Sequence, residues 1–245
     1  MTDLPLFNNR WLVNRHQYGE RMGDVKGRAP DSATRAYHSP VRAERARHTR
    51  HQILVAAHDL FLERGFARCA VSDIAARAGV ARPTVLSVFD SKAALLRAVV
   101  DLAMAGDDEP VPVAQRSWFQ PVWQATTQAD CLDAYARAVV RIGRQSADVI
   151  ELVRRAADET AENSEMWDQL QRNRRSGAES IARRVKELGP LPHGLTVRRA
   201  GDLIFVLNDS GHYRTLVTEC GWSERAFGAW LSDRMRFSVL GGAGA

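Results

Sequence analysis

From Ile53 to Leu240 apolar residues recur at intervals of three and four, and nowhere do apolar and polar residues alternate as in a half-buried strand. The pattern predicts an all-α protein. Ile53, Ala57, Leu60 and Phe61 fall on one helical face; Thr49 and Gln52 have capping-box spacing at its start, and Gly65 stands where a left-handed residue would end it. Ile74, Ala78, Val85 and Val88 are the inward positions of two short helices, Val71 to Ala78 and Arg82 to Phe89, with Pro83 in the first turn of the second. Leu95, Leu96, Val99 and Val100 mark a further helix from Lys92 to about Ala105, and the acidic, twice proline-broken run Gly106 to Val113 predicts a loop. Beyond it the spacing predicts helices over Ser117 to Thr126, Cys131 to Asp158, Glu165 to Leu188, Val197 to Glu219 with an interruption near Gly211, and Ser223 to Leu240.

Residues 1–43 carry Pro5, Pro30, Pro40 and glycine-punctuated polar runs without a sustained period, which predicts a disordered extension. A sharper reading makes Arg42, Arg45 and Arg47 an arm that follows a phosphate backbone or enters a minor groove.

Between Val71 and Lys92 the positions of small and flexible residues are specific. Ala75 is small where one helix must let another approach, Gly79 follows four residues later where positive φ is needed, and Val80 re-enters the core. This is the frame of a helix-turn-helix. TRHQILVAAHDLFLERGF from Thr49, IAARAGVARPTV from Ile74 and FDSKAALL from Phe89 together resemble the N-terminal domain of the TetR/AcrR family of transcriptional regulators. The resemblance implies an all-helical homodimer that binds double-stranded operator DNA through this domain and is released when a small molecule enters a larger C-terminal helical domain. It implies a domain order of extension (1–43), helix-turn-helix (44–95), connector helix and loop (96–110), and ligand-binding and dimerisation domain (111–245).

On the second short helix, Arg82, Thr84, Leu86 and Ser87 are the positions left to face a major groove, with Pro83 beside them, and Arg82 suits a guanine edge. Ser72 faces outward on the first. Lys92, at the start of the next helix, corresponds to the family's phosphate-contacting lysine. The chain departs from the family pattern at Cys69 and Ala70, where hydroxyl residues commonly cap the first helix, and at Leu86 and Val88, where a tyrosine and often a histidine reach phosphate. Each lost phosphate contact lowers affinity and its salt dependence.

The charge distribution agrees with a basic DNA-facing end. Residues 1–95 hold 15 Lys+Arg against 9 Asp+Glu, leaving 19 against 20 for the remainder of a chain of formal charge +5. Cys69, Cys131 and Cys220 lack paired or metal-like spacing, and no apolar run is long enough to span a membrane, which predicts a cytoplasmic protein without a disulfide framework. No nucleotide loop, nucleophile elbow or metal-ligand cluster occurs, so neither an enzyme nor a cofactor is expected. Trp118, Trp123, Tyr135, Trp167, Phe205, Asn208 and His212 are candidates for a small-molecule pocket between helices, each with ordinary core packing as its alternative. Leu203, Val206, Phe227, Trp230, Leu231 and Met235 are candidates for a dimer interface or for the subunit's own core. The reading is a ligand-released repressor. Two alternatives stay open: an architectural DNA-binding protein of the same fold, and a small-molecule binding domain with a vestigial helix-turn-helix.

Overall fold

The computed structural model describes residues 40–107 and 111–241, so the disorder expected for most of residues 1–43 lies outside the described residues. Among the described residues the regular elements are all helical. Helix α1 (Pro40–Arg64) starts well upstream of the capping box expected at Thr49. The run Glu44, Arg45, Ala46, Arg47 and His48, more than one full turn of it, is exposed throughout. Such a segment is helical through good helix formers and the Glu44–Arg47 ion pair one turn apart, and leaves no apolar stripe to read. Arg45 and Arg47, expected on an arm that follows a phosphate backbone or enters a minor groove, therefore lie on the exposed start of this helix. Gly65, at φ +78°, ends α1 by donating its amide to Phe61 O at 2.9 Å.

Helices α2 (Val71–Arg77), α3 (Arg82–Phe89) and α4 (Lys92–Ala105) pack with α1. Ile53, Leu60, Phe61, Ile74, Val85, Leu95, Leu96 and Val99 form the centre of their core. The single helix expected over Ser117 to Thr126 is instead two 3₁₀ turns, Val113–Gln115 and Ser117–Phe119, followed by the five-residue α5 (Gln120–Gln124). Trp123 fixes this compact stretch by donating its indole N–H to Ala114 O at 2.9 Å.

The long helices α6 (Gln128–Ala156) and α7 (Ala161–Leu188) start at Thr127 and Thr160, whose hydroxyls accept the amides of Asp130 and Asn163, both at 3.1 Å. They are followed by α8 (Val197–Leu207), by the single turn α9 (Ser210–Tyr213) running into a π-helical turn (Arg214–Glu219), and by α10 (Glu224–Leu240). The interruption expected near Gly211 falls at Asn208 and Asp209, because the Asp209 carboxylate accepts the Gly211 amide at 2.8 Å and starts a new turn.

Two apolar cores result. The first joins α1–α4 to Val149, Leu152 and Val153 at the end of α6 and to Met166 on α7. The second lies among α6, α7, α8 and α10 around Leu132, Ile181, Ile204 and Phe227. Phe227, Leu231 and Met235, candidates for an interface, are fully buried in this second core; Leu203, Val206 and Phe237 are exposed.

Candidate functional site

The helix-turn-helix frame forms as its small residues dictate. Gly79 adopts φ +67°, and Val80 donates to Ala75 O at 3.0 Å to close the turn. Ala70 offers no side-chain acceptor to cap α2, but the Asp73 carboxylate reaches back to accept the Ala70 amide at 3.2 Å and also takes Arg64 at 3.2 Å. This is the reach-back half of a capping box; the half that a hydroxyl at position 70 would supply, an acceptor for the Asp73 amide, is left to the Ala70 carbonyl at 3.0 Å. Cys69 is fully buried, and burial pushes its thiol up, which suits packing rather than redox chemistry.

On α3, Arg82, Pro83 and Ser87 are exposed, Thr84 and Leu86 are half-buried, and Val88 packs against the core. Ser72 is exposed on α2. Ser91 caps α4 by accepting the Ala94 amide at 3.0 Å. Next to it the Lys92 ammonium lies 4.1 Å from the Phe66 ring centroid and 3.5 Å from Ala67 O, folded toward the end of α1. The Arg50 guanidinium stacks 4.5 Å above Phe89 and ties α1 to the end of α3. Arg45 and Arg47 continue along α1 beyond that contact, by about 5–8 Å of helix.

A second feature lies between the helices. A cavity of about 170 Å³ is walled by α4 (Val100, Asp101, Met104, Ala105), α6 (Tyr135, Val139, Ile142, Ile150), α7 (Trp167, Leu170, Gln171, Arg174) and the α8–α9 junction (Asn208, Asp209, Tyr213), with Phe119 closing one side. Most of its surface is apolar. At the α8–α9 junction the Arg174 guanidinium donates to Phe205 O at 2.6 Å, Asn208 Oδ1 at 3.0 Å and Gln171 Oε1 at 2.8 Å, and it pairs with Asp209 at 3.0 Å. Asn208 in turn donates to the Tyr135 hydroxyl at 2.7 Å. Burial pushes the phenol of Tyr135 up. On the α4 wall the half-buried Asp101 makes no hydrogen bond or ion pair with any described residue. Burial pushes its carboxyl up to about 7, outweighing the nearby positive charges of Arg97 and Arg50.

Gly143 on α6 lets Tyr213 sit against the helix axis, for a Cβ there would meet Tyr213 Cγ at 2.7 Å. The Tyr213 hydroxyl donates to Glu224 at 2.6 Å, which Arg144 also holds. Burial together with this carboxylate pushes the phenol up to about 12.

Of the pocket candidates read from sequence, Tyr135, Trp167 and Asn208 line the cavity. The other four lie outside its lining. Trp118 sits under Arg141, 4.8 Å away, and Trp123 props the α5 turn. Phe205 is covered by the guanidinium groups of Arg174 and Arg175 at 3.8 and 4.4 Å, and His212 Nε2 lies 3.1 Å from Val206 O. Sequence reasoning misses Asp101 and Arg174. Arg174 stands in a run of charged helix residues indistinguishable in sequence from solvated ones; Asp101 has a signal, as a single acid in the apolar run that follows Arg97.

Residues 53–99 match the family model described as "Bacterial regulatory proteins, tetR family". The HTH-type transcriptional regulator TtgR of Pseudomonas putida is 45% identical over 58 residues, which cover 24% of this chain and 28% of that protein. The aligned stretch is therefore well under a third of the curated relative's length. Over most of the chain the likeness is one of fold. NalD, the secondary repressor of the MexAB-OprM multidrug efflux pump in Pseudomonas aeruginosa, superposes with a TM-score of 0.63 at 21% identity, covering 80% of this chain and 98% of NalD. FadR from Bacillus subtilis, solved in complex with stearoyl-CoA, does so with a TM-score of 0.59 at 18% identity, covering 78% and 98%.

Proposed function

We propose that this chain, whose N-terminal domain belongs to the tetR family of bacterial regulatory proteins, is a cytoplasmic transcriptional repressor that a small, mainly apolar ligand releases from its operator. One observation carries this reading. Helix α4 gives Leu95, Leu96 and Val99 to the core that holds the helix-turn-helix and gives Val100, Asp101, Met104 and Ala105 to the wall of the cavity. A ligand that repositions α4 also repositions α3. A switch from 99:1 to 1:99 between binding-competent and released forms requires about 5.5 kcal/mol of differential ligand affinity, and partial regulation needs less.

For the DNA face, the exposed Arg82 is the base-reading candidate, while Ser72, Thr84, Ser87, Lys92, Arg45 and Arg47 are backbone-contacting candidates, with Leu86 against a thymine methyl and Pro83 setting the helix start. Lys92 must leave the Phe66 ring to reach a phosphate. Exposed Leu203 and Val206 on α8 and Phe237 on α10, two helices that adjoin each other, support a homodimer. Two copies of α3 would then read half-sites about 34 Å apart.

Footprinting on DNA flanking the chain's own gene tests the reading. Site-specific protection is expected, with selectivity reduced by Arg82→Ala and affinity lowered uniformly, with a shallower salt slope, by Lys92→Ala. Absence of protection at any site would overturn it. Protection without sequence preference would favour the architectural alternative, against which the lined cavity already argues.

A further inference from the structure

We propose that the cavity selects lipophilic amines, with the Asp101 carboxylate on α4 as counter-ion for the ligand's ammonium group; the proposal rests on the reading of this cavity as a ligand pocket. Two independent features of the wall point to it.

The first is how its charges are used. Arg174 is the one cationic side chain among the lining residues, and its Nη1 and Nη2 donors are already taken by Phe205 O, Asn208, Gln171 and the carboxylate of Asp209. An anionic ligand would have to displace Asp209 or make do with the Nε–H, on a guanidinium whose charge the Asp209 carboxylate already balances. Asp101 is in the opposite position: a carboxyl in the wall with no hydrogen-bond donor from any described residue. Only Arg97, one turn before it on α4, and Arg50, on α1, act on it electrostatically, and both together fail to offset its burial. A cation entering the cavity supplies the missing partner, and a charge-assisted hydrogen bond is among the stronger polar contacts available.

The second feature is the composition of the remaining wall. Phe119, Tyr135, Trp167 and Tyr213 present aromatic rings, and Val100, Met104 and Ile142 fill in between. These surfaces suit the apolar body of such a ligand, and ring faces also attract an ammonium ion. The anchor stands on α4 itself, so the ion pair forms on the helix shared with the helix-turn-helix.

Three probes with one ring system separate the outcomes by isothermal titration of the full chain at about pH 8, where Asp101 and the amine are both ionised. They are naphthylmethylamine, naphthylmethanol and naphthoate. Wild-type protein is expected to bind the amine at least about tenfold tighter than the alcohol, and the carboxylate weakest. Asp101→Asn is expected to bring amine and alcohol within about threefold of each other while leaving the alcohol's affinity unchanged, which also reports that the variant is folded. Equal binding of amine and alcohol by the wild type, or an amine preference that survives in Asp101→Asn, overturns the proposal and leaves the pocket standing. Failure of all three probes to bind overturns both. The wild-type comparison decides the matter even where the variant does not fold.

Discussion

Replacing Asp101 by Asn should make the protein more stable at neutral pH than at acid pH relative to the wild type. The Asp101 carboxyl is raised from an ordinary 3.8 to about 7 because burial penalises its charge. Between those values the folded protein keeps a proton that the unfolded chain has released. The neutral, half-buried carboxyl therefore contributes its full stability below about pH 4, and that contribution is lost as pH rises through about 7. At roughly 1.4 kcal/mol per unit the whole shift is on the order of 4 kcal/mol, of which about 2 kcal/mol falls between about pH 5 and about pH 7. Asn has nearly the same shape and no such titration. Urea unfolding followed by the helical circular dichroism signal, at one protein concentration and stepped from about pH 5 to about pH 8.5, gives the difference between the two proteins directly. The wild type is expected to fall behind by about 2 kcal/mol between about pH 5 and about pH 7, and by only about 0.4 kcal/mol more above it. A difference independent of pH would mean that the carboxyl is hydrated. A wild type that gains on the variant as pH rises would mean that Arg97 and Arg50 hold the carboxylate ionised, and would refute the account.

Gly143→Ala puts a methyl group into the Tyr213 ring, a contact that the ring cannot relieve without leaving α6; a loss of about 1–3 kcal/mol is expected in the same unfolding assay, with weaker ligand binding. Asp73→Ala removes the reach-back to the Ala70 amide and should cost about 1 kcal/mol, read as faster hydrogen exchange at the start of α2. Gly79→Ala forces an L-residue to φ +67° and should destabilise by about 1 kcal/mol although nothing crowds the site, so a neutral effect would show that the turn relaxes.

The helix-turn-helix is legible in the sequence because its requirements are local. Ala75, Gly79 and the apolar positions of two short helices are fixed by backbone approach and by a left-handed turn, whatever the rest of the chain does. The start of α1 is not legible, for a helix solvated on all sides writes no period into its sequence. The cavity is half legible. Tyr135, Trp167 and Asn208 can be named as polar or aromatic groups on the right helices, but whether such a ring faces a cavity or a neighbour depends on how α6 and α7 are rotated. Trp123 and Phe205 have the same sequence character and point elsewhere. The function of Arg174 depends on Asp209, which lies beyond the rest of α7 and the whole of α8, and no local pattern encodes that pairing.

The first apolar core does not stop at the connector. Val149, Leu152, Val153 and Met166 belong to it as fully as Ile74 and Val85 do. The helix-turn-helix domain therefore cannot be exchanged as a cassette ending after α4: residues 40–107 excised alone would carry an open apolar seam, and grafted onto a foreign bundle they would meet side chains of the wrong shape. On the proposed function, a new operator preference can evolve on the outer face of α3, but recombination of whole domains has to carry the end of α6 and the start of α7 along with it.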